Sequence, residues 1–270
     1  MNDKIQAAYN KKPKKWIYNL LIVLMIIGIF IFSIINSKMK IKQMDVLGSF
    51  KKMLYGFTHP DIELLFGYGK YKGEYGLPYL AMQTVAIAFI GTTIASILSL
   101  PFSFLASKKL LGKYSIIGEI IIILIRTFPE ILLALILLKI VGLGSFTGVL
   151  VISIHSIGMI SKLYAESIDN MDSETLEALD AVGSTKMSKI RHSVMPQQLP
   201  DFLSVALYRF DINIRTATIL GVVSAGGLGY PIWVATSEWK WSQLSSIIIV
   251  TIVMVTIVDL ISNWLRKKLV

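Results

Sequence analysis

The chain has no cysteine among its 270 residues. Neither a disulfide nor a thiolate metal site can form, and redox compartment cannot be read from that absence. Charge is scarce too: Asp, Glu, Lys and Arg make up 16% of the residues, against about 25% in an ordinary soluble domain. Acidic residues are the scarcer sign, 17 against 27 basic ones, for a formal net charge of +10. Only three histidines occur. No His/Asp/Glu cluster has metal-ligand spacing and no Ser/His/Asp arrangement stands out, which argues against a membrane-embedded enzyme. A G-x-x-x-x-G-K-[ST] run is also missing, so the chain has no phosphate-cradling loop of its own.

Apolar surface is what the chain has in abundance. Hydrophobic residues account for 54% of the sequence, with a mean hydropathy of +0.65, as expected where lipid faces the outside of a fold. The run Ile17 to Ile35 carries no charge and can cross a ~30 Å hydrocarbon core at ~1.5 Å per residue. A cleaved signal peptide competes for this run, because basic residues precede it. Signal cores usually span only ~7–15 residues, however, and no small-x-small cleavage pattern follows closely. Further apolar stretches lie near 79–106, 115–140, 147–168, 199–223 and 243–265. The expected fold is all-α and integral to the cell membrane, a multi-pass protein of about six transmembrane helices. The expected organisation is a basic tail at 1–16, a first span at 17–36, an extracytoplasmic loop at 37–78 and a transmembrane domain at 79–266.

The cations sit beside these runs. Lys11, Lys12, Lys14 and Lys15 precede the first, and Arg266, Lys267 and Lys268 follow the last. Lys108, Lys109 and Lys113 separate spans two and three, while Lys186, Lys189 and Arg191 separate spans four and five. The segments 141–146 and 224–242 hold Lys240 as their one basic residue. Short cytoplasmic loops retain Lys and Arg, so this distribution places both termini in the cytoplasm. It also explains the net charge through the membrane and leaves no role for nucleic acid. The 37–78 loop objects: Lys38, Lys40, Lys42, Lys51, Lys52, Lys70 and Lys72 fall on the other side. Its mixture of Lys, Gly and aromatics leaves room for an interfacial helix.

Two spans carry ionisable groups. Arg126-Thr127-Phe128-Pro129-Glu130 interrupts the third, and Tyr208-Arg209-Phe210-Asp211-Ile212-Asn213-Ile214-Arg215 lies in the fifth. Each charge at the bilayer centre costs roughly 2.5–3.5 kcal/mol on insertion scales, so these groups should face a bundle interior or a watery cavity. Arg126 and Glu130, Asp211 and Arg215, and Arg209 and Asn213 are each four residues apart, which puts each pair on one helix face. Two readings stand together: internal pairing that holds the bundle, and arginines that offer an oxyanion two parallel hydrogen bonds. Pro129 should break the third span beside the charges. His155, alone in span four, reads better as a packed or hydrogen-bonded group than as a proton relay. Ala217, Gly221 and Ala225 form a small-residue series suited to close helix packing, within the chain or at a dimer seam. Ala225-Gly226-Gly227-Leu228-Gly229 lacks the strand and Lys of a phosphate loop and reads as a turn at the extracytoplasmic mouth.

The loop at 171–196 is too patterned for a plain linker. Ser173 could cap a helix whose first turn is acidic, Leu176, Leu179 and Val182 recur at helical spacing, and Gly183 supplies a stop. A second short segment, Met187 to Val194, is expected to end before Pro196. Spacing alone leaves open whether this is a solvated hairpin or a docking element. Glu177-Ala178-Leu179, Gly183 and Val194-Met195-Pro196 resemble the "EAA" loop of ABC importer permeases, with Leu179, Ser193 and Met195 departing from the family pattern. The two charged segments, running on to Gly226-Gly227-Leu228-Gly229, are similar to those of phosphonate ABC transporter permeases, with Phe128 and Asp211 as conservative departures.

The resemblance implies a type I ABC importer permease fold, a transport subunit and not an enzyme. It implies that Glu177, Ala178, Gly183 and Pro196 belong to the element that docks on a separate ABC ATPase. ATP and Mg would be bound there, with no cofactor or metal in this chain. It further implies a homodimer of this permease and an extracytoplasmic phosphonate-binding protein, with Arg126, Glu130, Arg209, Asp211, Asn213 and Arg215 as substrate-pathway candidates. An importer for another solute would keep the loop without needing Arg209 and Arg215. A gradient-driven carrier would suit the charges but not the loop.

Overall fold

A computed structural model describes residues 15–36, 46–67, 76–223 and 226–269. Lys11, Lys12, Lys14, Lys38, Lys40, Lys42, Lys70, Lys72 and Ala225 lie outside the described residues. Two compact units divide the chain, 1–49 and 50–270. The first contains α1 (Lys15–Asn36), which is apolar all round and buries none of its residues within the chain, as a lipid-surrounded span does. Among the described residues the structure is helical throughout. The 37–78 segment includes two helices, α2 (Val46–Thr58) and α3 (Ile62–Phe66).

The second unit is organised around two long helices, α4 (Leu77–Ala106) and α8 (Ser145–Asn170). Lipid tails give apolar side chains no reason to leave the membrane, so helices there associate through close packing and polar contacts. The α4 sequence provides both. Ala81, Thr84, Ala88, Gly91, Thr92, Ala95, Ser99 and Ser103 recur at helical spacing and are all buried. At Gly91 an added Cβ would lie 2.7 Å from Ile152 Cγ2, so only glycine admits α8 this closely. Ser99 Oγ donates to the Ile157 carbonyl at 3.2 Å, and Ser161 Oγ returns a bond to the Ser99 carbonyl at 3.4 Å.

The expected third span is two helices. A short α5 (Lys108–Leu111) leads to α6 (Ser115–Thr127), and α7 (Glu130–Val141) follows a 78° bend. Phe128 and Pro129 are extended at the break, because proline cannot donate to the helical ladder and pushes its predecessor out of helical geometry. After α8 come α9 (Glu174–Ala181), α10 (Lys186–Lys189), a π turn (Ile190–Val194), α11 (Met195–Val222), α12 (Gly229–Ser237) and α13 (Trp241–Leu269). Four described helices are long and apolar enough to cross a membrane, and the bent pair makes five. The remaining expected span, the fifth in chain order, coincides with α11, whose 28 residues suffice in length at ~1.5 Å each but which carries four charges.

Hydrogen bonds fasten each end of this unit. At one end Ser107 Oγ and the Lys109 N–H both donate to Asp169 Oδ1, at 2.6 and 3.0 Å, which brings the basic α4–α6 connection against the 171–196 loop. At the other, Gln83 Nε2 donates to Ser145 Oγ at 2.7 Å, and the N–H groups of Gly227 and Leu228 donate to Gln83 Oε1 and Thr84 Oγ1 at 3.2 and 2.9 Å. Gly226 and Gly227 adopt φ of 88° and 71°, which makes this segment the turn its glycines suggest. The segment 224–242 is more than a turn, since it also holds α12.

Candidate functional site

The fifth-span charges sort onto two faces of α11. Arg209 and Asn213 point into the bundle, with 5% and 0% of their surfaces exposed. Asn213 Nδ2 donates to Thr92 Oγ1 at 2.7 Å and Ser156 Oγ at 2.9 Å, tying α11 to α4 and α8 together. Ser156 Oγ lies 3.2 Å from Asn213 Oδ1 as a donor and 3.3 Å from Arg209 Nε as an acceptor. The Arg209–Asn213 pair is therefore real but indirect, with Ser156 between them. Nothing in a single sequence marks Ser156 or Thr92 as partners, and both were missed.

His155 joins this network as a hydrogen-bonded group. Its Nδ1 is 3.2 Å from Arg209 Nη2 and 3.2 Å from Glu130 Oε1. One nitrogen cannot accept from the arginine and donate to the carboxylate at once. Glu130 Oε1 is buried and not aligned to receive a hydrogen bond. Arg209, His155 and Glu130 thus bring α11, α8 and the start of α7 to one point beside the helix break.

Asp211 and Arg215 make the direct pair their spacing predicts, Arg215 Nη2 to Asp211 Oδ2 at 3.0 Å. Their exposures differ sharply. The Arg215 side chain is 54% exposed and that of Asp211 only 10%. Asp211 Oδ1 is buried with no hydrogen bond. The arrangement is a guanidinium at an open surface, partly neutralised from behind.

The Arg126–Glu130 pair does not form. The break at 128–129 removes the helical relation that four-residue spacing assumes, and Glu130 turns to His155 instead. Arg126 lines a separate cleft between α6 and α8, with Lys108, Glu119, Lys162, Glu166 and Asp169.

The 171–196 loop has two helices meeting at a glycine, as expected. Gly183 has φ +69°, and the Ser184 N–H reaches back to the Leu179 carbonyl at 3.0 Å, which closes α9 with a left-handed stop. The cap differs from expectation. Ser173 Oγ donates to Glu177 Oε1 at 2.8 Å, while Asp172 Oδ1 accepts the Glu174 N–H at 3.1 Å. Asp172, with its carboxylate at the helix start, takes the role assigned to Ser173. The second helix does not end before Pro196 either. Helical backbone runs from Lys186 through the π turn into α11, with Pro196 in the first turn of that helix. The wider π turn gives the proline ring room against the carbonyl four residues back.

Leu176 and Val194 anchor this loop in a cluster with Tyr164 and Phe202, whose rings lie 4.3 Å apart. Thr175 Oγ1 meets Ser193 Oγ at 2.7 Å, and Asp180 pairs with Lys189. Glu177, Ala178, Gly183 and Pro196 are left exposed. Val182 and Met187, 76% and 73% exposed, stand on either side of the glycine. A braced loop that presents apolar side chains to water is built for contact.

The two described members of the small-residue series, Ala217 and Gly221, are buried within the chain. A Cβ on Gly221 would lie 2.6 Å from the Gly226 carbonyl oxygen, and one on Gly229 would lie 2.3 Å from the Thr218 carbonyl oxygen. These glycines let α12 fold back against the end of α11.

Comparison with known proteins agrees with this architecture. Residues 99–270 match the family described as binding-protein-dependent transport system inner membrane component. A phosphite transport system permease protein of Stutzerimonas stutzeri is 36% identical over 188 residues, which are 69% of this chain and 68% of that one. A phosphate-import permease protein of Mycolicibacterium smegmatis is 34% identical over 192 residues, 70% of this chain but 36% of the relative. Among solved structures, the MetNI methionine ABC transporter in an inward-facing conformation aligns with a TM-score of 0.63 at 18% identity, over 72% of this chain and 96% of that one. An amino acid ABC transporter with histidines aligns at 0.56 and 16%, over 84% and 99%. The fold is that of a type I ABC importer permease. With residues 99–270 inside the family match and a braced loop beneath a polar helix bundle, the chain belongs to the binding-protein-dependent transport system inner membrane components: a multi-pass transport subunit, not an enzyme, that works with a separate ATPase and an extracytoplasmic binding protein.

Proposed function

We propose that this permease conducts a small phosphonate, or the related phosphite or phosphate, as one half of a homodimer moved by two ATPase subunits. An extracytoplasmic phosphonate-binding protein delivers the substrate. The observation that carries the substrate class is Arg215, an open guanidinium within a membrane helix, backed by a mostly buried Asp211. A planar guanidinium donates two parallel hydrogen bonds to a tetrahedral oxyanion. The carboxylate behind it competes for the same donors and keeps the anion from being held too long. Arg209, Asn213 and Glu130 set the frame in which α11 presents Arg215. The phosphite and phosphate relatives and the two charged sequence segments support the same class.

Motion enters at the exposed face of the 171–196 loop. Glu177 and Ala178 meet the ATPase, Gly183 makes the sharp turn between the helices, and Pro196 seats the loop on α11. ATP and Mg are bound by the ATPase partner, where hydrolysis takes place. The test is uptake of a radiolabelled phosphonate by cells carrying Arg215→Gln, alongside affinity capture of the ATPase. Uptake should fall at least tenfold while the ATPase still co-purifies. Unchanged uptake with Arg209 and Arg215 both replaced would sink the anion-pathway reading, and absence of any captured ATPase would sink the coupling.

A further inference from the structure

Arg126 stands apart from the polar network, and its surroundings are built. Its side chain projects into a cleft of about 320 Å³ between α6 and α8. Gly158 of α8 makes room for the arginine stem, since a Cβ there would lie 2.7 Å from Arg126 Cγ. The three carboxylates of the cleft are already engaged. Glu119 pairs with Lys108 at 3.3 Å, Glu166 with Lys162 at 3.3 Å, and Asp169 Oδ1 accepts from Ser107 Oγ and the Lys109 N–H. Among the described residues Arg126 has neither an ion pair nor a hydrogen bond, although it is half-buried. The guanidinium donors thus stand in a polar cleft whose carboxylates are committed to other partners.

We propose that the Arg126 cleft is a second oxyanion site, one that takes a phosphate-class anion at the end of the bundle bearing the 171–196 loop. Its chemistry is a guanidinium fork flanked by the ammonium groups of Lys108 and Lys162. At ~30 Å³ per water, the cleft has room for a tetrahedral anion together with several waters. Formal charge in the cleft is balanced, three cations against three anions, so the site holds its ligand weakly and lets it go. Asp169 lies two residues before the loop, so occupancy is felt beside the ATPase contact. This inference rests on the oxyanion class proposed above. It does not depend on Arg215.

Two sources can fill the cleft: free phosphate from the cytoplasm, or substrate leaving the channel. Inside-out membrane vesicles bearing the whole transporter expose the loop end. Modification of Arg126 by phenylglyoxal, followed by mass spectrometry, is measured with and without inorganic phosphate on that side. At least fivefold slower modification is expected, with choline chloride giving no protection. Right-side-out vesicles importing phosphonate under internal ATP form the second arm, with the reagent loaded inside. Protection in the first arm assigns filling from the cytoplasm, and protection in the second alone assigns filling by transported substrate. No protection in either arm, with Arg126 reacting freely, overturns the proposal.

A binding measurement keeps the result independent of reagent access. Equilibrium binding of radiolabelled inorganic phosphate to the full-length protein in nanodiscs should weaken at least tenfold in Arg126→Gln and less in Arg126→Lys. Direct protection of Arg126 should persist in Arg215→Gln, so the pathway reading can fail while this site stands. Equal phosphate binding in wild type and Arg126→Gln also overturns it.

Discussion

Replacing Asn213 with leucine removes the clamp that joins α4, α8 and α11 while keeping nearly the same volume. Three hydrogen bonds disappear: Nδ2 to Thr92 Oγ1, Nδ2 to Ser156 Oγ, and Ser156 Oγ to Oδ1. Interhelical bonds in membranes average ~0.6 kcal/mol, so three are worth about 2 kcal/mol. The partners suffer unequally. Thr92 keeps its bond to the Ala88 carbonyl at 2.6 Å, but the Ser156 hydroxyl proton loses its side-chain acceptor. An orphaned buried donor costs ~1–3 kcal/mol. The sum is roughly 3–5 kcal/mol, a fall in melting temperature on the order of 10 °C for a unit of this size. Thermal unfolding of the purified protein in detergent measures it. Ser156→Ala on top of Asn213→Leu should cost less than the sum of the two single substitutions, because the Asn213–Ser156 bonds are lost only once, while Arg209 Nε loses its acceptor in either background. A shift below ~2 °C for Asn213→Leu, or effects of the two substitutions that simply add, would refute the clamp and the orphan cost behind these figures.

Gly229→Ala should destabilise the protein by more than ~2 kcal/mol, because its Cβ meets backbone atoms of Thr218 and Gly221, whereas Gly28→Ala, with open space around it, should be silent in the same melting assay. Gly183→Ala forces a left-handed conformation costing ~1–2 kcal/mol on a residue with a Cβ, and transport-coupled ATPase activity should fall with little change in overall melting. Asp172→Ala should cost ~1 kcal/mol of loop stability and Ser173→Ala clearly less, read as protease sensitivity of 171–196. The opposite ranking would return the cap to Ser173.

Much of this architecture is legible in the residues because lipid imposes simple rules. Apolar runs and flanking lysines locate the spans, and Pro129 announces the break in the third. The two-helix loop follows from Leu176, Gly183 and their spacing. Failures cluster where a local rule met tertiary geometry. Four-residue spacing pairs Arg126 with Glu130 only on an intact helix, and Pro129 removes that condition. Pro196 signals a helix end only where the preceding turn is α-helical, and a π turn removes that one too. Thr92, Ser156 and Asn213 are 64 and 57 residues apart in turn, so their meeting needs the packed bundle. The α12 helix escaped notice because its glycines and proline read as loop, while the glycines in fact admit a close helix approach.

The unbroken helical path from the loop into α11 has a mechanical consequence. Lys186 and Arg215 lie on one helical path about 44 Å long at ~1.5 Å per residue, which contains the looser winding at 190–194 and, within α11, Pro200. Beyond that joint the arm to Arg215 is ~32 Å, so a swing of about 5° displaces the guanidinium by roughly 3 Å. That is one hydrogen-bond length, enough to hand an anion onward, and it requires no rearrangement inside the bundle beyond the pivot itself.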